Sequence, residues 1–244
     1  MKKLGLVLLS GGLDSTTVAS LALMQGYELQ AVTLDYGQSH RRELDAARQV
    51  AQHLGIQHRV IEVSFYRDLA WYSALTHAER FTLPVDRAPE NMGGDIPLTY
   101  VPMRNTFFLT LGAALLESEA LAAIEHDGIS PTNLTATLFI AANALDYSGY
   151  PDCRPEYYLS VAETLRLGSK LGSQYHVSMR IETPIIDKSK ADIVRLAHDL
   201  HAPIDLTWSC YQGGERPCGR CDSCQLRARG FAEAGLPDPA LMNV

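Results

Sequence analysis

Within its first 63 residues the chain alternates between short apolar runs and helical patterns, and this alternation limits the folds open to it. Leu4 to Leu9 is an apolar run of strand length, and Ser15 to Gln25 is helix-like, rich in Ala and Leu, with Gly26 placed as its stop. Leu29 to Asp35 reads as a second strand. Arg41 to Leu54 puts Leu44, Ala47, Ala51 and Leu54 on one helical face before Gly55, and His58 to Val63 reads as a third strand. Strands separated by single helices pair in parallel through right-handed crossovers. The expected fold class is α/β, a Rossmann-like doubly wound parallel sheet.

Residues 64–103 break the rhythm. Pro84, Pro89, Pro97 and Pro102, with Gly93 and Gly94, deny the stretch a long regular element, so an irregular loop or lid is expected there. Helical character returns over Asn105–Ala123, Pro155–Leu171 and Lys188–Leu200, with strands at Thr137–Ala142 and Val177–Thr183. From Trp208 the chain is rich in Cys, Gly and Pro. The expected organisation is a nucleotide and substrate domain over 1–207 and a small C-terminal appendage over 208–244.

Ser10-Gly11-Gly12-Leu13-Asp14-Ser15 falls between the first strand and the first helix. Small residues there let backbone N–H groups close on an anion, and the helix N-terminus adds partial positive charge. A carboxylate at Asp14 repels phosphate unless Mg²⁺ bridges the two. A plain glycine turn capped by Asp14 or Ser15 accounts for many strings of this kind. The chain lacks the Gly-Lys-Ser/Thr of a Walker loop and lacks Gly-x-Gly-x-x-Gly.

Charge restricts the partners. The 28 acidic and 21 basic side chains leave a formal charge of −7, which opposes general nucleic-acid binding. No run is read as reaching the roughly 20 apolar residues that span a bilayer. The basic-then-apolar start, Met1-Lys2-Lys3-Leu4, leads into Ser10-Gly11-Gly12 with no cleavage pattern, so a first strand explains it better than a signal peptide. A cytoplasmic protein with reduced cysteines is expected.

Four of the five cysteines, Cys210, Cys218, Cys221 and Cys224, form a C-x7-C-x2-C-x2-C pattern. Four thiolates close a tetrahedral structural Zn²⁺ site, which is the favoured reading over an iron–sulfur cluster or redox cysteines. Arg216, Arg220, Arg227 and Arg229 are placed to offset its negative charge. Cys153 stands apart, in Asp146-Tyr147-Ser148-Gly149-Tyr150-Pro151-Asp152-Cys153-Arg154, a string placed like a ligand-binding loop.

The SGGLDS string matches the signature of the PP-loop ATP pyrophosphatases. With LDYGQ at 34–38, VPMRN at 101–105, DYSGYPDCRPEYY at 146–158, ETPIIDKSKADIV at 182–194 and WSCYQGG…PCGRCDSC at 208–224, the chain resembles the 7-cyano-7-deazaguanine synthase family from Leu8 to about Phe231. The resemblance implies conversion of 7-carboxy-7-deazaguanine and ammonia to the nitrile with ATP. The carboxylate is adenylated, ammonia gives the amide, and a second activation of the amide oxygen leaves the nitrile; AMP and ADP stoichiometries both remain open.

Carried onto this chain, the resemblance places ATP on Leu8, Leu9, Ser10, Gly11, Gly12, Leu13, Asp14, Ser15, Thr16, Thr17 and Val18, with Asp35, Tyr36 and Gln38 near the adenine. Asp14, with Mg²⁺, Arg104 and Lys190 are the catalytic candidates. Arg104, Asn105, Asp146 or Asp152, and Tyr147 or Tyr150 are candidates for the deazapurine. Expected partners are these small molecules, with no nucleic acid or membrane, and a homodimer is the family expectation. Glu125 to Leu134 looks longer than the family pattern, and Phe139-Ile140-Ala141-Ala142-Asn143 stands where a glycine-containing segment is expected, so a ligase that stops at the amide stays open. A tRNA-modifying PP-loop thiolase and a zinc-binding interaction module are the other readings.

Overall fold

Apolar runs too short for helices and flanked by glycine turns fold as strands. A computed structural model describes residues 1–38, 41–86, 96–144 and 150–239. Its five strands are β1 (Lys2–Leu8), β2 (Glu28–Asp35), β3 (Gln57–Glu62), β4 (Leu134–Phe139) and β5 (Met179–Glu182), in the order β3-β2-β1-β4-β5. All pairings are parallel, and the register sets Leu6 of β1 between Gln30 and Leu138. The order reverses between β1 and β4, and ligands of open α/β sheets sit outside the strand carboxyl ends at such a switch point.

The helices α1 (Leu13–Met24), α2 (Arg42–His53), α3 (Tyr66–Leu69), α4 (Arg104–Glu125), α5 (Pro155–Gly168), α6 (Lys170–Tyr175), α7 (Lys190–Asp199) and α8 (Asp222–Ala234) cover both faces. Alternation along β1 sends Leu4 and Leu6 into one core with Leu109, Leu116 and Leu171. Val7 and Leu9 enter the other with Val18, Val50, Ile193 and Phe231. Helix α4 is 22 residues and apolar enough to cross a membrane by length and composition, contrary to the expectation that no run is. Here it is a core helix, with Leu109, Ala113, Leu116, Ala120 and Ala123 buried against the sheet.

The single helix expected over 155–171 is two, because Ser169 turns extended and caps α6 by accepting the Gly172 N–H at 3.0 Å. The strand expected at 137–142 lies three residues earlier, since β4 pairs with β1 from Leu134. Helix α8 is an addition to the expected elements; the Cys-Gly-Pro richness of its neighbours masks it in the sequence. Residues 126–133, part of the segment read as an insertion, form an exposed loop and a 3-10 turn ahead of β4. The described parts of 64–103 are tied down, by Ala74 N–H to the Leu98 carbonyl at 2.9 Å and by an antiparallel bridge from Val85 to Cys221.

Candidate active site

The loop after β1 is shaped by two glycines. Gly11 has φ +82°, and a Cβ there would stand 2.4 Å from the Glu43 carbonyl and 2.6 Å from the Ala47 nitrogen, so only glycine lets α2 approach. Gly12 is extended and caps α1. The Ser10 N–H donates to Ser15 Oγ at 3.2 Å, and the two hydroxyls lie 3.0 Å apart. The first-turn amides of α1 have no helical partner, so they face the cavity ahead of the helix as anion donors. That cavity, about 300 Å³, is lined by Ser10, Gly12, Asp14, Ser15, Arg104 and Lys190.

The Lys190 ammonium reaches both oxygens of Asp14, at 2.9 and 2.8 Å, across 176 residues of sequence. Ser189 caps α7 by accepting the Asp192 N–H, which fixes Lys190 as its first residue. Two of the three expected catalytic side chains thus neutralise one another beside the loop. Arg104 opens α4 from the opposite side. Burial would lower its pKa, but Tyr36, Tyr150 and Asp152 around it more than offset this and the net shift is upward, so the guanidinium stays charged.

Leu8, Leu9, Leu13, Tyr36, Gln38, Asn105 and Tyr150 also line the cavity, so most of the residues expected to bind ligands meet there. Gly11, within the loop, and Thr16, Thr17 and Val18, in α1, are buried and stand outside the lining set. Asp35 lies at the end of β2 outside the lining set, with Arg41 at 3.6 Å. Asp152 is buried beneath the site, its pKa raised chiefly by burial, with Arg104 and the Asn105 N–H opposing. Tyr150 bonds through its hydroxyl to Thr99 Oγ1 at 2.8 Å. Asp146 and Tyr147 lie outside the described residues.

Three further lining residues escape a reading of the sequence. Glu43 stands half-buried in the first turn of α2; burial pushes its carboxyl up to about 7, with Arg104 opposing. Asn143, after β4, donates to the Ile185 and Lys188 carbonyls at 2.9 and 2.7 Å, and so holds the turn that leads to Lys190. Trp208 donates its backbone N–H to the Gly11 carbonyl at 2.9 Å. The one faint signal in the sequence is a polar residue, Asn143, closing an apolar strand. Cys153 is buried, and burial pushes its thiol up to about 11, which suits a packed thiol better than a nucleophile.

The four sulfurs of Cys210, Cys218, Cys221 and Cys224 all lie within 4.8 Å of one another, and those of Cys218 and Cys224 are 4.0 Å apart. Thiolates about 2.3 Å from one ion would be about 3.8 Å apart, so the set fits a tetrahedral metal. Backbone N–H groups of Gln212 and Cys218 point at the Cys210 sulfur, and those of Arg220 and Cys221 at the Cys218 sulfur. Of the four arginines expected to balance the cluster's negative charge, three pair with carboxylates, Arg220 with Asp86, Arg227 with Asp238 and Arg229 with Glu233, and of these Arg220 also interacts electrostatically with Cys218.

Residues 4–235 match the family model described as Queuosine biosynthesis protein QueC. The chain is 44% identical over 238 residues to the 7-cyano-7-deazaguanine synthase of Thermoplasma acidophilum, covering 98% of this chain and 91% of that protein. It is 47% identical to the one from Thermosynechococcus vestitus, covering 96% and 93%. Among solved structures, NMN synthetase from Francisella tularensis aligns at TM-score 0.41 and 18% identity, over 96% of this chain and 77% of that one. The chain belongs to the queuosine biosynthesis protein QueC family.

Proposed function

We propose that this chain is a carbon–nitrogen ligase that converts 7-carboxy-7-deazaguanine and ammonia to 7-cyano-7-deazaguanine with ATP. The observation that carries the reading is the convergence of the phosphate loop, Lys190 and Arg104 on one cavity at the sheet's switch point. A carboxylate oxygen is a poor leaving group until it carries AMP. The substrate carboxylate attacks the α-phosphorus and pyrophosphate leaves. Ammonia then adds at the acyl carbon, AMP leaves, and a proton is released with the amide. A second activation at the amide oxygen, followed by loss of AMP and a proton, gives the nitrile.

The loop amides with Ser10 and Ser15 would cradle the pyrophosphate, and Lys190 would move from Asp14 to the phosphates as charge develops. Arg104 would hold the substrate carboxylate or the departing phosphates. Tyr36 and Gln38 would border the adenine, and Asn105, with Tyr150 or Tyr147 and with Asp146 or Asp152, would hold the deazapurine; of these Asn105 and Tyr150 line the cavity. Asp14 with the loop hydroxyls would hold Mg²⁺, which supplies charge neutralisation of the triphosphate. Cys210, Cys218, Cys221 and Cys224 would hold Zn²⁺ as a closed structural site. The enzyme would work in the cytoplasm on small molecules rather than nucleic acid, as a homodimer that light scattering would read as twice the chain mass.

The test is to incubate the chain with 7-carboxy-7-deazaguanine, ATP, Mg²⁺ and ammonium and to weigh the products. The nitrile is expected. Amide accumulating with ample ATP and ammonium would overturn the nitrile step, and absence of pyrophosphate release would overturn the ATP reading.

A further inference from the structure

Helix α8 carries Cys224, Arg227 and Gly230 three residues apart, which places them along one stripe of the helix. Cys221 caps that helix and Cys224 sits in its first turn, so the cysteine cluster fixes its start. Farther along, the same stripe meets the phosphate loop by two routes.

The first route runs through Arg227, which is 8% exposed. Its guanidinium donates to Thr207 Oγ1 at 2.8 Å, Ser209 Oγ at 3.1 Å and the Ile204 carbonyl at 3.3 Å. The Asp238 carboxylate receives two more of its N–H groups at 2.7 and 2.8 Å. Arg227 therefore grips the residues on both sides of Trp208, whose N–H holds the Gly11 carbonyl. The second route runs through Gly230. A Cβ there would stand 2.3 Å from Lys190 Cγ and 3.0 Å from Lys190 Cβ, so the lysine stem lies flat against the bare backbone of α8. From that position its ammonium reaches Asp14.

We infer that Arg227 and Gly230 are positioning residues of the nucleotide site, through which α8 makes the four-cysteine cluster part of the phosphate loop's support. The inference rests on the ATP reading for the ligand's identity. Its chemistry is preorganisation: loop amides and the Lys190 ammonium aim at an anion only while the 204–209 segment and the lysine stem are held. Coupling between two sites is reciprocal, so ATP must tighten the cluster's affinity for metal by the factor by which the metal tightens ATP.

The experiment measures the ATP dissociation constant by equilibrium dialysis on the full chain, with bound metal counted in each sample. Arg227→Met should weaken ATP at least tenfold while the cysteines keep their metal. Gly230→Ala should weaken ATP severalfold, and that effect should shrink markedly in a Lys190→Ala background, where the clashing Cγ is gone and only the Cβ at 3.0 Å and the backbone carbon at 3.2 Å remain. A general packing defect at Gly230 would weaken ATP equally in both backgrounds, which would overturn the inference. Thr207→Val removes one acceptor without burying a charge and should weaken ATP less than Arg227→Met. Hydrogen exchange of the Trp208 and Thr16 amides, which donate to the Gly11 and Gly12 carbonyls, reads the same support without nucleotide and should quicken in Arg227→Met and Gly230→Ala. Wild-type protein that binds no ATP would sink the nucleotide reading alone; unchanged exchange in both variants would sink this one.

Discussion

Replacing Glu43 with Gln should change the pH dependence of stability in a defined direction. Burial pushes this carboxyl up from an ordinary 4.5 to about 7. The folded chain therefore binds a proton that the unfolded chain has already lost between those values. By linkage, the wild type loses stability as pH rises through that interval and is level above it. The gap corresponds to at most about 3 kcal/mol, and access to the cavity lowers the expected figure to about 2 kcal/mol. The substituted amide carries no titrating proton, so the stability of Glu43→Gln relative to wild type should grow by that amount from pH 5 to pH 8. Urea unfolding at four pH values would measure it. With a slope of about 3 kcal/mol/M for a chain this long, the midpoints should separate by about 0.7 M more at pH 8 than at pH 5. Parallel curves across the range would show that Glu43 ionises as an exposed carboxylate does, and the burial argument would fail.

Gly11→Ala places a Cβ at positive φ against the backbone of α2, and should cost about 2–4 kcal/mol of stability, read by urea unfolding, along with measurable ATP binding. Lys190→Met leaves Asp14 unpaired but partly solvated; stability should fall by about 1 kcal/mol, while pyrophosphate release should slow about 100-fold or more in single-turnover assays. Stripping metal with a chelator should lower the thermal midpoint and quicken proteolysis near α8, because Cys221 and Cys224 begin that helix. Cys153→Ala should leave single-turnover rates within about threefold of wild type, since the thiol is buried and protonated; a loss on the scale of Lys190→Met would restore it as a chemical group.

Local patterns make the fold class and two chemical features legible. Apolar runs of strand length, Ala- and Leu-rich or amphipathic stretches and glycine stops depend on neighbours a few residues away, so β1 to β3 with α1 and α2 can be read almost to their ends. The glycines and serines of 10–15 and the four cysteines of 210–224 announce themselves because each set is contiguous or nearly so. Helix α8 is obscured for the converse reason, since its residues share a segment with the cysteine knuckles and its apolar face is short.

The sequence by itself determined a parallel α/β sheet, a glycine- and serine-rich loop after its first strand, a cluster of four cysteines and, by resemblance, the family. Tertiary structure alone decided that Lys190 pairs with Asp14, that Glu43 is desolvated beside Arg104, and that Arg227 and Trp208 brace the loop. The physical reason is distance along the chain. Each of these relations joins residues on different elements, and its geometry is set by how helices dock on a sheet, a packing outcome that no short-range spacing encodes.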